Sequence, residues 1–429
     1  MIMHILQVSS GDFFSTYGGG QIYVRRLVEQ LSTFDDIQVS VLSFSNQHAK
    51  EDEKELRYKL YQSTELNDEQ ATALVRTIDP DIIHAHSHKA LLCRVGKTLG
   101  IPVVVTAHHG GIVCPAGALL NADDTICQTT PSHEHCLKCY LRTVRTGRRW
   151  YPFMRQLPKK AYLALGRMLE RLPFIYFITP IGRGALIIEN KRLEWADIVR
   201  TCSLLIAPSE AIKEATLRCG MPQQKVTTLP HGVPAPIQTP PFPSTDKGLH
   251  FFYVGRICYV KGIHVMLEAF HALPHENVTL HLIGGSGNKT ERQYEKQLQA
   301  QYESDPRIIW HGKVEPEAVA DITKDFHILI APPIYLEVFG LNIAETLAMG
   351  KPVLATRCGG AEMQIEDGIN GWLVPPNAPE ALQQKMEEII SIPETQLSQM
   401  AKQRHVVSLG EHCEALIRLY RNVSTTSLT

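Results

Sequence analysis

The stretch from Ala331 to Pro376, APPIYLEVFGLNIAETLAMGKPVLATRCGGAEMQIEDGINGWLVPP, constrains the fold more than any other part of the chain. Residues 326–331 form a short apolar run of strand type that stops at Pro332-Pro333, where proline offers no N–H to a ladder. A loop carrying Glu337 follows. Gly340 then opens a helix-forming run, residues 341–349, with Leu341, Ala344, Leu347 and Ala348 at helical spacing. Gly350 and Pro352 end it, and the next strand starts at Val353. A strand, a tight turn and a helix start leave free N–H groups and the positive end of a helix dipole aimed at one spot, which is an anion site. Glu337 and Glu345 flank that spot. An anion site bordered by carboxylates suits a ligand with phosphates in its middle and hydroxyls at both ends, the shape of a nucleotide sugar. The competing reading is an ordinary βαβ unit with surface glutamates.

The same grammar recurs along the chain. Residues 4–8, 39–43, 82–85 and 103–106 read as strands, with helical runs at 21–31, 68–78 and 89–99. In the first of these helices Ile22, Leu27, Val28 and Leu31 take the inward side. Residues 192–202 (helix), 204–207 (strand), a helix capped by Ser209 and a strand at 225–229 continue the pattern. Residues 234–247 hold five prolines in fourteen and read as a linker. Beyond it come strands at 250–254, 278–283 and 308–310, a helix at 263–271, and helical sequence after Ala378. Alternating strands and helices predict an α/β fold of two doubly wound parallel sheets, with ligands at the carboxyl ends of the strands. The expected divisions are 1–233, the linker 234–247, 248–410, and a last helix in 411–429 that returns to the first domain.

Residues at those strand ends are the candidates for chemistry. Gly18, Gly19 and Gly20 let the backbone approach a ligand where the first strand feeds a helix. They lack the G-x-G-x-x-G spacing and the acidic residue of a nicotinamide site. His84, His86 and His88 lie at one strand end, and His108 and His109 at a neighbouring one. In the second half, Gly255-Arg256 and Lys261-Gly262 offer two fixed cations, Gly285 sits in a glycine turn, and Lys313-Val314 follows another strand.

The 429 residues carry a net charge of −1, which gives no field favouring nucleic acid. The start MIMHILQVSS lacks the pattern of a secretory signal, and the longest apolar run, 172–181, is too short for a bilayer. Ten cysteines then imply a reducing, cytoplasmic setting. Cys114, Cys127, Cys136 and Cys139 fall as C-x12-C-x8-C-x2-C, a spacing suited to a structural zinc or to buried reduced thiols. Together with the basic run after them they form an insertion at about 110–175. From Lys138 to Arg171 ten basic residues and one acid interleave with Trp150, Tyr151, Phe153, Met154 and Leu157. That composition fits a solvated helical hairpin, or a patch touching an anionic membrane face or a lipid-diphosphate acceptor.

Glu337-x7-Glu345, inside E-x-F-G-L-x-x-x-E-T-L-A-M-G-x-P-V, resembles the signature of retaining glycosyltransferases of the two-Rossmann-domain (GT-B) type, glycosyltransferase family 4 (glycosyl transferases group 1). The resemblance implies two Rossmann-like domains facing across a cleft, with the nucleotide sugar in the second and the acceptor alcohol in the first. It implies that Glu337 contacts the transferred sugar, that the amides of Phe339, Gly340 and Leu341 hold the diphosphate, and that Glu345 binds the ribose. G-R-x4-K-G resembles the family's diphosphate clamp, giving Arg256 and Lys261 that role. Lys313-Val314 matches the segment that reads the base, and Gly18 to Gly20 matches the loop touching donor phosphates. In V-V-V-T-A-H, His108 matches the family's single histidine near the reacting sugar, whereas His109 stands where an aspartate is usual. Gly359, Gly360 and Glu362 resemble a pocket-closing turn with the glutamate one position early. Cys114 lies six residues after His108, as in a cysteine-bearing subset of the family. The implied donor is a nucleotide-diphosphate sugar and the acceptor a hydroxyl on a glycan, lipid-linked or small molecule. No metal serves the catalysis, since fixed cations replace it. A sugar-nucleotide epimerase, a phosphorylase or a non-catalytic nucleotide-sugar-binding protein of the same form remain the alternatives.

Overall fold

The computed structural model describes residues 2–14, 18–45, 56–143, 158–170, 179–234, 241–403 and 406–426. The chain divides into two compact units: Met1–Ser15, Tyr23–Leu229 and Glu414–Thr429 form one, and Thr16–Ile22 with Pro230–Cys413 the other.

The first unit carries seven strands: β1 (Met3–Ser10), β2 (Ile37–Phe44), β3 (Lys59–Ser63), β4 (Ile82–Ala85), β5 (Val103–Thr106), β6 (Leu204–Ala207) and β7 (Val226–Thr228). They lie side by side in the order β3-β2-β1-β4-β5-β6-β7, and every pairing is parallel. The second unit holds β8 (Leu249–Val254), β9 (Val278–Ile283), β10 (Ile308–Gly312), β11 (Ile328–Ala331), β12 (Val353–Thr356) and β13 (Gly371–Val374). These run in the order β10-β9-β8-β11-β12-β13, again all parallel. Helices cover both faces of such a sheet, so its central strands are buried on both sides and nearly continuous apolar runs rather than alternating ones. The sequences IIHA, LLIA, ILIA and VLAT, each buried at every position, meet that demand.

Strand order reverses between β1 and β4 in the first sheet and between β8 and β11 in the second. Connections leave a doubly wound sheet in opposite directions at such a point and open a crevice at the carboxyl ends. Arg256, Lys261 and Glu337 follow β8 and β11. Gln7 and Ser9 in β1 and His84 and His86 at β4 occupy the equivalent place in the first sheet.

Several sequence expectations are corrected in detail. In the helix Gly19–Leu31 the core is made by Tyr23, Val24, Leu27, Val28 and Leu31, while Ile22 is only half-buried. In Leu341–Ala348, Ile343 and Thr346 join the buried set and Leu341 is half-buried. Phe326 is buried but precedes the strand it was expected to start. β3 gave no periodic signal because KLYQS is an edge strand without a buried residue. The helix Lys289–Gln301 was equally silent, since Leu298 is its one buried side chain. The helix expected at 192–202 is the end of a longer one, Thr179–Thr201. It packs on the cysteine-bearing helix His133–Thr143 through Cys136, Leu137, Leu141, Ala185 and Ile188.

Of the basic-aromatic stretch, Arg145, Arg148, Arg149, Trp150, Tyr151, Phe153, Met154, Arg155, Leu157 and Arg171 lie outside the described residues, as does most of the apolar run 172–181. Among the described residues no helix is long and apolar enough to cross a membrane.

Candidate active site

The second unit builds its site where β8 and β11 end. After β8 the chain makes a short turn, Tyr259–Lys261, and reaches Gly262. Gly262 has φ +69°, and a Cβ there would stand 1.9 Å from the Pro332 carbonyl oxygen. Only glycine lets this backbone lie so close beneath the end of β11. That contact presents Lys261 to the loop after Pro333, where it forms an ion pair with Glu337. The two side chains are 22% and 12% exposed. Tyr253, Pro332, Pro333, Asn342 and Ile343 line the same hollow. Burial opposes the Lys261 ammonium, but Glu337, Tyr335 and Tyr253 beside it hold its pKa well above the ordinary lysine value. Its Nζ also lies 5.4 Å from the centre of the Tyr335 ring.

Glu337 is fixed by its own backbone. Its N–H donates to the Cys358 carbonyl at 2.8 Å, and its carbonyl accepts from Gly360 at 2.9 Å, a parallel bridge between Glu337 and Gly359. A Cβ on Gly360 would fall 2.4 Å from Phe339 Cα, so this turn too requires glycine. The Gln364 amide donates to the Phe339 carbonyl and, at 3.1 Å, to that of Gly360, which ties the turn to the helix start. Glu362 does not reach into the hollow by this bond: its carboxylate accepts from the Gly359 N–H at 2.8 Å.

Gly340, at φ +83°, begins the helix Leu341–Ala348 without a side-chain cap. The N–H groups of Phe339, Gly340 and Leu341 donate to no protein acceptor among the described residues. The Phe339 ring packs with Val233, Ala344 and Ala348. Glu345, in the second turn, is half-buried.

Around β8 and β9, Gly255 N–H donates to the Ile283 carbonyl at 3.0 Å and the Gly285 carbonyl accepts from Ile257 at 3.1 Å. Lys313 lies over Gly285, where a Cβ would meet its Cγ at 2.9 Å. Val314 packs on the core below. Arg256 does not line the hollow that holds Lys261. Its side chain is 58% exposed, and its guanidinium stands 3.7 Å from Glu291. The glycine turn contributes to this unit as well: Gly18 accepts from Gln21, and a Cβ on Gly19 would lie 3.2 Å from Leu341 Cδ1.

In the first unit His108 follows β5 and is half-buried. Its Nε2 lies 2.7 Å from His86 Nδ1, and the Tyr23 ring meets its ring edge-on at 5.5 Å. Cys114, Cys127, Cys136 and Cys139 are all buried. Burial, reinforced by the other three thiols, pushes Cys136 up to about 12. Among the described residues no three His, Cys, Asp or Glu side chains converge to hold a metal ion. Sequence reasoning missed Tyr253, Tyr335 and Asn342 at the hollow, and Gln7 and Tyr420 behind His108. A glutamine in the middle of the apolar strand HILQVSS was the one signal for that last group.

Residues 17–235, just over half of the 429, match the family model described as Glycosyltransferase Family 4. Residues 237–405 match Glycosyl transferases group 1. The chain is similar to an uncharacterized glycosyltransferase of Methanocaldococcus jannaschii, 24% identical over 52% of this chain and 61% of that one. It is similar to a D-inositol 3-phosphate glycosyltransferase of Xylanimonas cellulosilytica, 30% identical over 42% of this chain and 47% of that one. The matched stretches thus span about half the length of these relatives. Among solved structures, HepE of Anabaena in complex with UDP-glucose shares the fold, with TM-score 0.61 and 16% identity over 99% of this chain and 98% of that one. Its two halves each answering to one of these models, the chain belongs to glycosyltransferase family 4.

Proposed function

We propose that this protein transfers a sugar from a nucleotide-diphosphate sugar to an acceptor hydroxyl, with retention at the anomeric carbon. The observation that carries the reading is the ammonium of Lys261, ordered by Glu337 in a hollow shared with the first turn of the Leu341 helix. Departure of the diphosphate is the difficult part of the reaction. Fixed positive charge at a water-poor site lowers that barrier because it needs no reorganisation as the negative charge grows. Lys261 and the amides of Phe339, Gly340 and Leu341 supply it, Arg256 adds its charge from the exposed turn after β8, Glu337 holds the sugar hydroxyls and Glu345 the ribose. His108 serves the reacting sugar. The leaving phosphate takes the acceptor proton on the same face, so no enzyme nucleophile is required. HepE, solved with UDP-glucose, supports this class of donor.

A thermal-shift screen against UDP-, GDP-, ADP- and dTDP-sugars identifies the donor. With it, Lys261→Ala and Arg256→Ala are each expected to slow turnover about a hundredfold or more, the scale of losing one oxyanion donor. Near-wild-type rates in both refute the assignment. Donor binding with no transfer across an acceptor panel supports a non-catalytic protein instead.

We also propose that Cys114, Cys127, Cys136 and Cys139 take one structural zinc as thiolates and so pin the loop that carries them; no step of the reaction passes through it. Elemental analysis of protein purified without chelators is expected to show one zinc per chain, and no zinc overturns this.

A further inference from the structure

The first sheet buries a chain of polar groups that the proposed chemistry leaves without a task. Gln7 in β1 and Tyr420 on the last helix are 0% exposed, His84 and Thr106 1%, and His86 6%. A buried amide is costly unless both of its ends are bonded. Here both are. Gln7 Nε2 donates to Tyr420 Oη at 3.0 Å, and Gln7 Oε1 lies 2.8 Å from His86 Nε2. An amide oxygen carries no proton, so His86 Nε2 is the donor. With His86 neutral, its imidazole has a single N–H. His86 Nδ1 is therefore an acceptor, and across the 2.7 Å contact His108 Nε2 donates to it. The His108 proton is thereby placed on Nε2, and Nδ1 becomes the acceptor nitrogen of that ring. On the other side, Tyr420 Oη also lies 2.6 Å from His84 Nδ1, and His84 Nε2 lies 2.7 Å from Thr106 Oγ1.

We propose that Gln7, His86 and Tyr420 are positioning residues that set the tautomer of His108, so that it meets a sugar hydroxyl as a hydrogen-bond acceptor through Nδ1. This rests on the transferase reading above, but its first test does not. In protein with ¹⁵N-labelled histidine, long-range ¹H–¹⁵N spectra, assigned with His108→Gln, are expected to show the His108 proton on Nε2. A proton on Nδ1 overturns the proposal whether or not any donor is turned over.

Gln7→Glu supplies the second test. A carboxylate at this position keeps both nitrogens of His86 protonated, so His86 Nδ1 donates and the His108 proton moves to Nδ1. Expected are that altered spectrum and a fall in kcat of about a hundredfold or more, with the donor KM unchanged. Wild-type kcat overturns the proposal. Should Gln7→Glu fail to fold, His86→Phe keeps a ring in place and removes the acceptor. The same loss of kcat at constant donor KM is expected, and an unchanged kcat overturns it.

Discussion

At the scale of single residues, Gly262 and Gly312 make a controlled comparison. Both have positive φ, +69° and +71°, but a Cβ on Gly262 would collide with the Pro332 carbonyl at 1.9 Å while one on Gly312 would meet nothing within 4 Å. Gly312→Ala is expected to cost about 1 kcal/mol, the left-handed penalty alone. Gly262→Ala adds a backbone overlap that must move β11 or Lys261, and about 2–4 kcal/mol is expected. Urea unfolding of both variants checks this, and equal losses would refute the packing argument. The Lys261-Gly262 pair was legible in the sequence as a cation beside a glycine. The reason for the glycine was not, because it lies in the carbonyl of Pro332, seventy residues away. Tyr253 and Asn342 were illegible for the same cause: a residue inside or just after an apolar element reports its period, not its partner.

At the scale of elements, the sequence was most readable where burial is most complete. β4, β5, β6, β9 and β12, and the helices Asp68–Ile78, Lys89–Leu99 and Ile263–His271, occupy the residues their apolar patterns predict. Reading failed at the sheet edge and on polar surfaces, in β3 and Lys289–Gln301, where few side chains face a core and no period is written. The site lies between these extremes. Glu337 and Glu345 were visible as carboxylates around a helix start, but the bridge that pins Glu337 to Gly359 is a backbone property without a side-chain signature. The same holds for Glu362, which a motif match set near the ligand and which caps its own turn.

At the scale of the molecule, acid should weaken the fold through its buried histidines. Burial pushes His281, His327 and His412 down to about 4. An unfolded chain binds protons at these residues near 6.5, so between about pH 6.5 and 4 the unfolded state carries more protons than the folded one. Stability therefore falls as pH falls through that window, and this contribution is complete above it. Thermal melts are expected to shift steadily downward from pH 7 to pH 4.5. A flat or rising melting temperature over that range would exclude the mechanism. Both sheets share in the polar burial: β9 contributes His281, and β4 contributes His84 to the chain that ends at His108.

The bridge between Glu337 and Gly359 also limits how the gene can change length. Insertions are usually absorbed by surface loops, but the residues enclosed by this bridge are anchored at both ends to one lysine's counter-ion. Adding or deleting a codon there would drag the carboxylate off its ammonium or twist the helix tip away from it. Related sequences should accordingly vary in length almost anywhere before they vary in that interval.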